Sequence, residues 1–449
     1  MYKKILSLIL ILSILLVSSF TGCIEEINEP INNQKTHTEI AIDFMNNLSE
    51  KKYQETYTYF NQDLKNSFTL SQLKETWEYM INIYGDFQEI KETINSTESN
   101  YSIIFINATF SEKYLLIFKI VFDDNNKIGG FWVNDFISIA DYNPPSYVNL
   151  QNFTEEEIFI GTDWKLPATL TIPTSEGTFP AVVLVHGSGP NDRDETIGPN
   201  KPFKDLAWGL ASRGIIVLRY EKRTKQYPEE MSKLTNLTVM EEVIYDALSA
   251  INVLKEKQYV NSNKIYVIGH SLGGMLSPRI ASLDDEISGI IILAGPTRGL
   301  EDLIINQTIY IANIDGEIDE NESIQIDYIE GQVQKIKQLN ISENELVLGV
   351  YKSYWEDLIQ YNPIEAANNL SINILILQGE RDYQVAIDDY NIWLNSIGSK
   401  ENVELILYPS LNHLFIAGIG NSIPDEYLFE GHVEKKVIED ISNWIKTLN

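Results

Sequence analysis

The chain has 449 residues, 44% of them hydrophobic and 22% charged, and its 34 Lys and Arg against 64 Asp and Glu give a formal net charge of −30. That balance argues against nucleic acid as a partner and against electrostatic docking on anionic lipid. A single cysteine rules out an internal disulfide, a cysteine-based zinc site and a cysteine nucleophile in the folded part. The length exceeds what one core usually serves, so two domains are expected.

Lys3 and Lys4 form a positive start, 5–17 is an apolar run, and Ser18-Ser19-Phe20-Thr21-Gly22-Cys23 adds small residues ending in cysteine. Residues 1–22 thus read as a secretory signal peptide. Its end resembles a lipobox, with Phe20 where that pattern usually has Leu. The resemblance implies lipid attachment at Cys23, and an uncleaved apolar anchor is the other reading. Both place the chain on the outer face of the cytoplasmic membrane, held to it through an N-terminal anchor. Residues 23–37 are polar and read as a flexible tether.

Residues 38–140 read as a small α+β domain. Ile40, Ala41, Phe44, Met45 and Leu48 keep helical spacing, and so do Trp77, Met80 and Ile81 within 70–84, which Gly85 closes. Three strand-like runs follow, at 101–110, 114–122 and 128–133, with Asp123-Asp124-Asn125-Asn126 as a hairpin turn. Helices ahead of an antiparallel sheet resemble the cone-shaped nuclear-transport-factor-like domains. The aromatic residues fall on apolar faces and read as core, and no catalytic constellation is present. Asn143-Pro144-Pro145 marks a linker over 141–154.

From residue 155 to 449 strands alternate with helices. Glu157 and Ile160 fall in the first strand of an antiparallel pair, 157–160 with 168–172. Runs rich in Val, Ile and Leu recur at 181–185, 214–219, 264–268, 287–293, 372–377 and 403–407, as in strands buried on both faces of a parallel sheet. Helical patterns separate most of them, at 203–212, 240–255, 272–281, 386–396 and 433–447. An acidic, amphipathic stretch at about 299–361 is long enough for a helical cap over the sheet's carboxyl edge. The whole predicts an α/β fold, a mostly parallel sheet flanked by helices.

The strand at 264–268 runs into Gly269-His270-Ser271-Leu272-Gly273-Gly274, and a helix follows. This is G-x-S-x-G in a strand–turn–helix, where a strained bend lifts the serine towards a base. Ser271 is therefore the candidate nucleophile. The acid and the base must come later in the chain. Of five histidines, His37 falls in the tether, His186 at a strand end and His270 inside the bend. His413 lies in a loop leaving the last strand and is the candidate base, ahead of His432 at the start of the final helix. Asp382, just past the strand at 372–377, is the candidate acid, with Glu380 as runner-up. Asp388 and Asp389 read as the solvated first turn of a helix.

An oxyanion hole needs two backbone donors. The N–H of Leu272 supplies one. The loop His186-Gly187-Ser188-Gly189-Pro190 supplies the other, assigned to Ser188 with Gly189 as the alternative. The charged runs 191–195 and 219–223 lie at the same edge of the sheet, and an ion-pair network between adjacent loops is their plainer reading over a pocket border.

Taken together, 186–195, Asn200-Lys201-Pro202-Phe203-Lys204-Asp205-Leu206-Ala207, Arg219-Tyr220-Glu221-Lys222-Arg223, 269–274 and Leu411-Asn412-His413-Leu414-Phe415 resemble the EstD-type carboxylesterases, α/β-hydrolases also described as serine-aminopeptidase-like. The similarity spans about 155–449, and Glu221 departs from it, since the family more often has Asp there. It implies metal-independent hydrolysis of short acyl esters by Ser271, Asp382 and His413. A small-molecule ester is the expected substrate, with no cofactor, no metal and no nucleic acid. A peptidase acting on short peptides is the main alternative, with the acids of 315–330 as candidates for holding a free amino terminus. A non-catalytic surface binding protein is the third reading.

Overall fold

The computed structural model describes residues 35–98 and 101–448, so the signal-like segment, Cys23 and most of the tether lie outside the described residues. The chain divides into two compact units between Asn143 and Pro144.

In the first unit, helices His37–Ser49, Tyr53–Tyr57, Gln62–Ser67 and Leu70–Tyr84 precede a four-stranded antiparallel sheet: β1 (Phe87–Glu98), β2 (Tyr101–Phe110), β3 (Tyr114–Phe122) and β4 (Ile128–Ser138). The tether ends earlier than expected. Thr36 caps the first helix in a reciprocal pair with Glu39, which satisfies orphan backbone donors. His37 is no tether residue either: its ring bonds Ser102 Oγ at 2.8 Å and Asn126 Oδ1 at 2.7 Å and stacks on Phe122. β1 was not expected. Its run of Gln, Glu, Lys, Thr and Asn shows no apolar alternation, yet it forms an edge strand, where charge discourages pairing with another chain. Trp77, Phe110 and Phe118 are buried between helix and sheet.

The second unit carries an eight-stranded sheet: β5 (Phe153–Ile160), β6 (Leu166–Pro173), β7 (Phe179–Val185), β8 (Ile216–Tyr220), β9 (Val260–His270), β10 (Gly289–Leu293), β11 (Asn373–Gly379) and β12 (Val403–Tyr408). Its order is β12-β11-β10-β9-β7-β8-β6-β5. β7 to β12 are parallel, while β5 pairs antiparallel with β6, and β6 antiparallel with β8. The apolar runs sit where their composition requires, because helices cover both faces in two separate cores. Strand order reverses around β7, and in such sheets ligands bind outside the carboxyl ends of the strands at the reversal.

Two departures from the sequence pattern bear on the site. The helix expected at 240–255 begins with a π-helical turn, Met240–Ile244, before the α-helix Tyr245–Lys255. Such a turn often marks functional positions. Between β10 and β11, helices Leu300–Ala312, Glu320–Lys337 and Lys352–Gln360 form an insertion. Ile304, Ile336 and Trp355 join it to the larger core.

Candidate active site

β9 ends at His270 and the helix Leu272–Ser282 begins two residues later, so Ser271 alone makes the turn. Its backbone holds φ 52° and ψ −118°, a conformation L-residues keep only when their surroundings enforce it, at about 1–3 kcal/mol. The glycines explain how the turn closes. A Cβ on Gly269 would lie 2.1 Å from Gly273 O, and one on Gly273 would lie 2.2 Å from Val185 O. Helix, β9 and β7 therefore approach more closely than any side chain allows. Ser271 N donates to Leu293 O at 2.9 Å, fixing the bend to the next strand.

Asp382 leaves the end of β11 and His413 follows β12. They meet: His413 Nδ1 bonds Asp382 Oδ2 at 2.7 Å, and both residues are 4% exposed. The carboxylate is held from every side. Oδ1 accepts the N–H of Gln384 at 2.8 Å and of Val385 at 3.0 Å, and Oδ2 accepts Gln378 Nε2 at 3.1 Å. A carboxylate so held fixes the imidazole tautomer and leaves Nε2 as the open nitrogen. No hydrogen bond joins the Ser271 hydroxyl to His413 in this structure. The two are tied through His270, whose Nε2 lies 3.0 Å from His413 O and whose ring centroid is 4.6 Å from that of His413. Catalytic contacts often tighten only when substrate is bound.

Glu380 is exposed and His432 sits before the last helix, against Asp205 at 3.1 Å; neither reaches the dyad. One expectation is corrected. Asp389 is not solvated: it is 0% exposed, accepting Thr297 Oγ1 at 2.8 Å and Arg298 Nη2 at 2.7 Å. Asp388 beside it is exposed.

The loop after β7 is pinned at Gly187. Its N–H donates to Glu195 Oε1 at 2.7 Å, and its carbonyl accepts Lys222 Nζ at 2.9 Å. A Cβ on Gly187 would stand 3.1 Å from Ser271 Cβ, so this loop faces the serine. With the Gly187 N–H occupied, the backbone N–H groups that the loop offers next are those of Ser188 and Gly189. Opposite them is the first turn of the helix starting at Leu272, whose N–H groups have no helical acceptor.

Two features of this site escape sequence reading. Glu195 Oε2 lies 2.9 Å from His270 Nδ1, a buried carboxylate–imidazole contact. Burial opposes charge on both groups, but each stabilises the other's charged form, and His270 is raised above its ordinary value while Glu195 is lowered. His186, packed 4.9 Å from Phe203 and 5.2 Å from Tyr220, is pushed down to about 4 by burial and is neutral at neutral pH. The second feature is the Lys222 contact on Gly187. Only the charged runs hinted at either. Those runs do form a network, with Arg193 Nε on Glu221 at 2.8 Å and Arg219 on Asp194 and Glu155, each at 2.8 Å. Among the described residues, no group of three His, Cys, Asp or Glu could hold a metal ion.

A serine on a strand–helix bend, a buried Asp–His pair and the eight-stranded sheet define an α/β-hydrolase of the serine type. Residues 166–344 match the dienelactone hydrolase family model, and residues 41–131 match a model described as a protein of unknown function (DUF3887). Esterase EstD of Thermotoga maritima is 38% identical over 402 residues, 90% of this chain and 93% of that protein. Among solved structures, Est1E from Butyrivibrio proteoclasticus is similar at a TM-score of 0.43 and 17% identity, over 65% of this chain and 98% of that one. An esterase of Pyrococcus furiosus is similar at a TM-score of 0.42 and 16% identity, over 68% and 97%. The chain belongs to the EstD esterase family and is a serine carboxylic ester hydrolase.

Proposed function

We propose that this protein hydrolyses short-chain acyl esters at the outer face of the cytoplasmic membrane, with Ser271, His413 and Asp382 as its triad. The observation that carries the triad is the Asp382–His413 pair arriving from β11 and β12 beside the strained Ser271. In acylation Ser271 Oγ bonds the ester carbonyl carbon as its proton passes to His413 Nε2. The oxyanion accepts the N–H groups of Leu272 and Ser188. The tetrahedral intermediate then expels the alcohol, which takes that proton, and water releases the acid by the same steps in reverse. Asp382 holds the imidazole and stabilises its charged form. The anchor rests on Lys3, Lys4, the apolar run and Cys23, which support export and lipid attachment.

The test is turnover of p-nitrophenyl acetate, butyrate, octanoate and palmitate, beside aminoacyl p-nitroanilides, by wild type and Ser271→Ala. The expected result is fastest turnover of acetate or butyrate, with Ser271→Ala slower by at least about 10⁴-fold. Faster cleavage of the anilides would replace the esterase reading with a peptidase.

A further inference from the structure

Lys222 is almost fully buried beside the candidate oxyanion loop. Its Nζ donates to Gly187 O at 2.9 Å and lies 2.8 Å from Glu242 Oε1, with side-chain exposures of 2% and 8%. Glu242 stands in the π-helical turn Met240–Ile244, and its other oxygen accepts Tyr354 Oη at 2.6 Å. Asn191 Nδ2 also reaches Gly187 O, at 3.3 Å. A buried ion pair of this kind adds little net stability, since desolvation offsets most of the attraction. Its placement, not its strength, needs the explanation.

The carbonyl of residue 187 and the N–H of residue 188 belong to one conjugated peptide unit. A cationic donor on the oxygen draws electron density across that unit and makes the N–H on its other side a stronger donor. It also fixes the peptide plane, and so the direction of the N–H. We propose that Lys222 is a positioning residue of the oxyanion hole, its ammonium polarising and aiming the Gly187–Ser188 peptide at the developing negative charge. This rests on the assignment of the Ser188 N–H as second oxyanion donor. Glu242 keeps the ammonium in place, and Tyr354 ties that carboxylate to the helix Lys352–Gln360. The neighbouring Arg223 makes a similar buried pair with Asp246, at 2.8 Å from Nε to Oδ2, without a bond to the loop. It serves as the control.

The chain contains two Gly–Ser peptides, 187–188 and 398–399, so pairing ¹³C-carbonyl glycine with ¹⁵N-serine isolates two amide signals in the intact protein. Phenylboronic acid, which forms an anionic tetrahedral adduct on a reactive serine, is the probe. In wild type the Gly187–Ser188 amide proton should move downfield on titration while the other signal stays. Lys222→Met/Glu242→Gln removes both charges, so neither is stranded. It should shrink that shift and lower kcat by about 10- to 100-fold, part of what losing a whole donor does, with KM within about threefold. Arg223→Met/Asp246→Asn should keep both the shift and kcat. If thermal unfolding shows the Lys222→Met/Glu242→Gln protein unfolded, Lys222→Gln/Glu242→Gln, which retains a neutral donor and strands no charge, should give a smaller loss of shift and kcat. A full shift with wild-type kcat in either folded Lys222 variant would overturn the proposal, as would an equal fall in kcat in the Arg223 control. No movement of the Gly187–Ser188 signal in wild type would refute the donor assignment first, and the proposal with it.

Discussion

Two carboxylate–imidazole pairs stand back to back behind Ser271, Asp382–His413 and Glu195–His270, with ring centroids 4.6 Å apart. Both are buried, and their N–O distances are close, 2.7 Å and 2.9 Å. They differ in what surrounds them. Asp382 accepts four hydrogen bonds counting His413, whereas Glu195 accepts the Gly187 N–H on Oε1 and meets His270 with Oε2, among apolar residues that include Phe203, Leu293 and Leu414. They also differ in the far nitrogen of the ring. His270 commits its Nε2 to His413 O, while Nε2 of His413 remains open. An imidazole becomes a base only when its second nitrogen is free to meet a substrate or nucleophile. This difference supports the proposal of His413 as the base, with His270 as a brace that links the loop after β7 to the loop after β12.

The sharpest way to break that comparison is to alter each acid in turn. Asp382→Asn keeps the shape but supports the wrong tautomer, and kcat should fall by about 10³- to 10⁴-fold with the fold retained. A loss below about tenfold would mean that the two pairs have been assigned in reverse. Glu195→Gln should lower kcat far less, by about tenfold or under, and act mainly on stability, by about 1–3 kcal/mol.

That stability effect should depend on pH in a defined window. His270 is raised above 6.5, so its contribution is complete below 6.5 and is lost as pH rises through the raised value. Glu195 is lowered below 4.5, so its contribution is present above 4.5 and is lost as pH falls through the lowered value. The gap in unfolding free energy between wild type and Glu195→Gln should be widest between these limits. Urea melts across pH 4 to 9 measure it, and a gap that does not vary with pH would show that the pair carries no charge.

How much of this was legible in the sequence follows the same division. Ser271, Asp382 and His413 each occupy a position that a strand end and chain order define, so pattern alone could single them out. The apolar runs marked the parallel strands because burial on both faces leaves no room for polar alternation. Glu195 and Lys222 follow no such rule. They act across loops, through a backbone amide at Gly187 and a ring at His270, and no spacing along the chain connects them. Asp389 misled for a related reason: a helix first turn is ordinarily solvated, but Thr297 and Arg298 from the loop after β10 cover it. β1 was missed because an edge strand can be as polar as a loop.

The central claim is that the Ser271 hydroxyl is the nucleophile activated by His413. Labelling the folded protein with a fluorophosphonate probe and mapping the adduct by peptide mass tests it most directly. One adduct per chain on Ser271 is predicted, absent in Ser271→Ala and formed at least about 10³-fold more slowly in His413→Ala. An adduct on another residue, or labelling of His413→Ala at the wild-type rate, would contradict it.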